Sequence, residues 1–205
     1  MISDRVKKEF VSFRFVEAYI ASASISHSMH FDARMSDVSD GTFSRFNWSV
    51  AEKIALEKDD SELAEGDAER YLTRFYFQAH IAIAKGLVED YQDKTLPDEV
   101  LLGEIDLLFA VEYLGSVPHP EADGLTLKLL EDIRVPTDVW PYWREAAQNL
   151  ALRARLPLPT LGPFRPPSVE SIRVAYEGAQ ALDLESKKAK AKKRTVVAKA
   201  AKKGK

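Results

Sequence analysis

The chain has 205 residues, with 29 Lys+Arg against 32 Asp+Glu and a formal net charge of -3. That balance hides an asymmetry: Lys187 to Lys205 holds 10 basic residues and no acid, which leaves residues 1–186 with 19 basic and 32 acidic residues, a net of -13. Cysteine is absent, which excludes a disulfide scaffold, thiol catalysis and thiolate-bound zinc, and the length suggests a domain that buries its own core without staples.

Residues 4–18 read as a short amphipathic helix, with Val6, Phe10, Phe13 and Val16 at helical spacing. The period then changes to two. Tyr19, Ala21, Ala23, Ile25, Met29 and Phe31 alternate with Ser22, Ser24, Ser26, Ser28 and His30, which predicts a half-buried strand with a serine-rich outer face. After the turn signal Ser39-Asp40-Gly41, a second run puts Phe46, Trp48, Val50, Ile54 and Leu56 on one side and Arg45, Asn47, Ser49 and Lys53 on the other. A third run alternates Phe75, Phe77, Ala79, Ile81 and Ile83 with Arg74, Tyr76, Gln78 and His80. The fourth, Val100 to Leu114, has Leu101, Ile105, Leu107, Phe109, Val111 and Tyr113 on one face. Its second face is partly apolar, so both faces are expected to be covered, by helix or by another subunit. The polar connections over 57–69 and 86–98 lack the helical pattern of a parallel crossover, so a four-stranded antiparallel meander is the simplest arrangement.

Ser116-Val117-Pro118-His119-Pro120 breaks the strand pattern. Thr137 or Asp138 can then cap a helix with Pro141 in its first turn, running to about Arg155. Five prolines between Leu156 and Pro167 enforce an extended segment, and Ser168 can cap a short last helix. The expected fold class is α+β: the sheet, a long helix, the proline-rich linker and the short C-terminal helix. The domain reading is 1–18 helical extension, 19–182 main domain and 183–205 basic Lys/Ala-rich tail, disordered because like charges repel and little can be buried. No apolar run approaches the roughly 18 residues of a membrane span, and the N-terminus lacks the apolar stretch of a secretory leader. A cytoplasmic protein with no membrane insertion is expected.

The catalytic inventory is empty. No phosphate-binding glycine loop or nucleophile elbow occurs. His27, His30, His80 and His119 are scattered, and Glu104 with Asp106 on one strand face lacks a nucleophile beside it. No enzyme activity, cofactor or metal is expected.

Val139-Trp140-Pro141-Tyr142-Trp143-Arg144-Glu145, followed by Leu150 and Arg155-Leu156-Pro157-Leu158-Pro159-Thr160-Leu161, resembles the signature of the SecB chaperone family. Leu101-Leu102-Gly103-Glu104-Ile105 looks like that family's Leu-x-Glu strand segment. The resemblance implies an ATP-independent holdase, a homotetramer built as a dimer of dimers, that binds unfolded polypeptides in long apolar grooves. It also implies a partner-docking face at Leu102, Glu104 and Asp106, where export members meet the SecA motor. The Trp-Pro-Tyr variant resembles the subgroup associated with toxin–antitoxin systems, which protects an antitoxin. The extra N-terminal helix, the long loops and the basic tail depart from export members.

A client-binding groove is expected at Trp140, Trp143, Leu156, Leu158, Leu161 and Phe164, because the stiff linker presents apolar side chains that no local helix can bury. The rival expectation is that these residues clamp the helix to the sheet. A polyanion-binding tail is expected at Lys187, Lys188, Lys190, Lys192, Lys193 and Arg194. It supports the alternative of an adaptor for nucleic acid or an acidic partner.

Overall fold

The structure, a computed structural model, describes residues 3–29, 31–32, 41–56, 71–87, 95–115, 124–159, 161–179 and 181. The basic tail, the 57–69 loop, residues 88–94 and 116–120, the Ser39-Asp40 turn, His30 and His119 lie outside them. The chain divides into two compact units, one over Ser3–Pro166 and one that includes the segment from Pro167 onward.

The first unit opens with α1 (Asp4–Ser12), capped by Ser3, whose Oγ accepts the Val6 N–H at 3.3 Å. The helix stops at Ser12 instead of reaching residue 18, and β1 (Arg14–His27) begins two residues later. The fully buried Phe13 ring makes the switch. It lies over Gly115, where a Cβ would come within 2.7 Å of the ring. Packing this ring on bare backbone outweighs continuing an amphipathic helix.

β2 (Thr42–Leu56), β3 (Tyr71–Lys85) and β4 (Leu101–Gly115) run as an antiparallel meander, as expected. β1 does not join β2. It pairs antiparallel with β4, and the sheet order is β1-β4-β3-β2, a Greek key. The two most apolar runs, β3 and β4, thereby take the centre. The serine-rich β1, exposed along most of its length, takes an edge. Residues 28–41 are long enough to cross the roughly 15 Å of three strand spacings between β1 and β2.

Bulges re-aim side chains that strict alternation misplaces. The β2 register shifts between Val50 and Glu52, so Lys53 stands opposite the buried Phe75 and Ile54 opposite Arg74. Lys53 then reaches the helical layer and pairs with Glu131. In β1 a shift between Ile20 and Ser22 leaves Tyr19 across from Ala110 on the outer face. Arg74 stands over its ring at 5.8 Å.

The helical layer covers the other face. It comprises α2 (Gly124–Leu129), a π-helical turn (Leu130–Arg134) and α3 (Val135–Arg153), in unbroken succession. The helix therefore starts well before Thr137, and Pro141 sits inside it. Pro136 explains the π turn: it cannot donate to the fourth carbonyl back. One step earlier the ladder already widens, with the Val135 N–H on the Leu130 carbonyl five residues away. Tyr113 ties this layer to β4 by donating to Asp138 Oδ2 at 2.8 Å, which also accepts from Arg134 Nε at 2.9 Å. Burial, then the adjacent Asp138 charge, holds the Tyr113 phenol far above its ordinary pKa. Among the described residues no helix is long and apolar enough to cross a membrane.

The second unit contains a helix over 169–179. Ser168 Oγ accepts the Ser171 N–H at 3.0 Å, and Arg173 bridges Glu170 and Glu177 on one helix face.

Candidate functional site

α3 ends in a Schellman motif. Arg155 takes the left-handed conformation (φ 59), its N–H meets the Leu152 carbonyl, and the Leu156 N–H reaches back to Ala151 at 2.9 Å. His27 of β1 bonds the Ala154 carbonyl at 2.7 Å, so a strand residue closes the helix end. This sharp turn throws the proline linker back along the sheet.

The linker is latched at two points. Leu156 lies directly on β4: a Cβ on Gly103 would sit 2.8 Å from its Cδ1 and 2.6 Å from the Ser26 carbonyl oxygen. Further on, Trp140 donates its indole N–H to the Gly162 carbonyl at 3.1 Å. These contacts correct the picture of a wholly open groove. Trp140, Trp143, Leu156 and Leu161 are enclosed within one chain and belong to its core. Leu158 is 52% exposed, and Phe164 is half-buried. Four of the six residues are thus buried, and Leu158 and Phe164 keep access to water.

The surface that remains open is aromatic and includes strand residues not expected there. Phe46 of β2 is 40% exposed, yet meets Trp140 and Trp143 edge-on at 5.6 and 5.5 Å. Trp48, half-buried, stacks on Phe77 at 5.7 Å and meets Phe164 at 5.9 Å. Phe164 in turn leans on Trp140 at 5.4 Å. Phe46, Trp48 and Phe164 form a partly wet rim around a dry floor of Phe77, Trp140 and Trp143. The floor keeps one unmet polar group: the wholly buried Trp143 indole nitrogen has no hydrogen-bond partner among the described residues. The rim runs along β2, an outer strand of the sheet, which presents backbone groups on the side away from β3. Sequence reasoning placed Phe46 and Trp48 on an apolar strand face. What it lacked was that β2 is an edge, where such residues stay partly wet.

The opposite face of the sheet carries the other candidate residues. Ser24, Asp106, His80 and Asn47 line up across all four strands, with Ser26, Glu104, Ala82 and Arg45 in the next row. His80 Nδ1 meets Asp106 at 2.9 Å and Nε2 faces Glu104 at 3.5 Å. Leu102 does not share this patch. It is 5% exposed and packs in the core, because the β3–β4 register shifts beside Gly103. Among the described residues no cluster of His, Asp or Glu could hold a metal ion. Beside β1 a cleft of about 290 Å³ is lined by Ala18, Ile20, Phe109, Tyr142 and Ala146 among others.

No family model matches the chain, and no curated protein does. A solved structure does match: the SecB-like chaperone Rv1957 of Mycobacterium tuberculosis, determined with a ChAD peptide from the HigA1 antitoxin Rv1956. The superposition has a TM-score of 0.52 at 14% identity and covers 80% of this chain and 100% of that one. An α+β architecture with a four-stranded antiparallel sheet followed by a long helix is common to the sequence reading and the structure. The fold of this chain is SecB-like.

Proposed function

We propose that the chain is an ATP-independent holding chaperone that binds extended stretches of unfolded polypeptide at the aromatic rim along β2. The observation that supports this most is the rim itself: Phe46, Trp48 and Phe164 partly exposed above a buried tryptophan pair, on a SecB-like fold. A client strand laid beside β2 gains backbone hydrogen bonds that do not depend on its sequence, while alternate side chains meet the rim. Burying one aromatic side chain of roughly 150 Å² contributes about 4 kcal/mol before ordering costs, so a single site is weak and reversible. Linked sites on several subunits convert that into durable retention by raising the effective concentration.

A homotetramer supplies such multiplicity. The β1 edge, with Ile20 and Tyr142 exposed around its cleft, is the surface we assign to self-association. The Glu104–Asp106 face is assigned to a basic docking partner, which in an export role is SecA. Because the structural neighbour was solved with an antitoxin peptide, an antitoxin is the favoured client class over exported proteins. A cytoplasmic location follows from either role.

The test is suppression of aggregation, followed by light scattering, for an unfolded client. Leu158→Asp combined with Phe164→Ser should abolish suppression while the circular dichroism spectrum stays native. Full retention of suppression rejects the rim as the holding surface. Leu156→Asp is unsuited to this test, since it buries a charge in the core.

A second reading rests on the 10 basic residues of Lys187–Lys205: an adaptor whose main activity is polyanion binding through that tail. With no aromatic residue among them, that binding would be electrostatic and not base-specific.

A further inference from the structure

We propose that Phe46 is a displaceable stopper: in the free chain its ring occupies the position that an aromatic side chain of a bound polypeptide takes against Trp140 and Trp143. The inference rests on the holding site proposed above and adds to it a preference and a gate.

Three observations point there. The Phe46 ring has a stopper's geometry, edge-on to two buried indoles within 5.6 Å while 40% of the residue remains in water. A core phenylalanine would be covered, and a passive surface one would not meet two tryptophans. Its strand is an outer one, and its neighbours in sequence, Arg45 and Asn47, point to the opposite face, so the ring can swing outward without disturbing the ladder. In the floor beneath, the buried Trp143 indole N–H has no partner among the described residues. A buried donor of this kind is normally paired in a native core. A backbone carbonyl arriving with the client chain is an acceptor of the right kind. Exchange of one aromatic ring for another also explains how the site stays dry when empty, instead of exposing two tryptophans that would aggregate with one another.

The stopper and a simple wall make opposite predictions for one substitution. Fluorescence anisotropy is measured on the full chain with labelled synthetic peptides of about a dozen residues, identical except for a central Phe, Leu or Ser. For the stopper, Phe46→Ala binds the Phe peptide about fivefold tighter than wild type, the equivalent of one aromatic pair. The Leu peptide gains less and the Ser peptide does not gain. Phe46→Leu, which keeps most of the apolar volume, gives a smaller change in the same direction and covers the case that the alanine variant unfolds. If both variants bind the Phe peptide more weakly while wild type binds it well, Phe46 is part of the wall: the stopper is overturned and the holding site stands. If wild type binds none of the peptides, the holding site fails and the stopper with it.

Discussion

Gly103→Ala tests whether the linker is latched to the sheet as described. The new Cβ would lie 2.6 Å from the Ser26 carbonyl oxygen, 2.8 Å from Leu156 Cδ1 and 2.9 Å from Cδ2. Ordinary contact begins near 3.4 Å, so β1 must retreat by roughly 0.8 Å or Leu156 must tilt out of its seat. Overpacking of this kind costs about 1–3 kcal/mol. Replacing a strand glycine returns about 0.5–1 kcal/mol through the unfolded chain. The net expectation is a loss of about 1–2 kcal/mol, read as a lower urea midpoint with an unchanged slope. Leu156→Ala alone should cost about 2–4 kcal/mol, as a buried leucine does. Together the two should cost about 1 kcal/mol less than their sum, because the added methyl fills part of the space that Leu156 vacates. Strict additivity within about 0.3 kcal/mol would show that Leu156 does not rest on Gly103.

Arg155→Gly should raise stability by about 0.5–1 kcal/mol, since the left-handed cap position costs an exposed arginine what it does not cost glycine; a lower thermal midpoint refutes the cap assignment. Tyr113→Phe bears on alkaline stability. The folded-state pKa of Tyr113 is raised above its unfolded value of about 10, so its contribution is complete below that pH and is lost as pH rises beyond it, at up to about 1.4 kcal/mol per pH unit. The phenylalanine variant should be less stable at neutral pH yet show a shallower decline above about pH 10, and an identical decline contradicts the buried Tyr113–Asp138 bond. Deleting residues 187–205 should leave aggregation suppression intact while abolishing salt-sensitive binding to heparin; loss of suppression would favour the adaptor reading.

The strands were legible because each carries its own period-two pattern, and 15-residue runs such as Tyr71–Lys85 outvote local exceptions. Pairing was less so. Nothing within β1 says whether it meets β2 or β4, because that choice depends on which strands most need two covered faces. Face assignments failed wherever a bulge intervened: one extra residue sent Lys53 toward the helices and left Ile54 across from Arg74. The helix starts before both Pro136 and Pro141, and the sequence does not show the π turn that accommodates Pro136. The six groove candidates were correctly apolar, but their access to water is a tertiary property. Only the latches on Gly103 and Gly162 separate the clamp, with Leu156, Leu161 and the tryptophans, from the open Leu158 and Phe164.

The central claim, that unfolded chains are held along the β2 edge, is tested most directly by hydrogen–deuterium exchange of the full chain with and without an unfolded client. Protection should appear in residues 43–50 and around Phe164, with β1 unchanged by the client. Client-dependent protection confined to the Glu104–Asp106 face or to β1, with β2 exchanging as before, would contradict it.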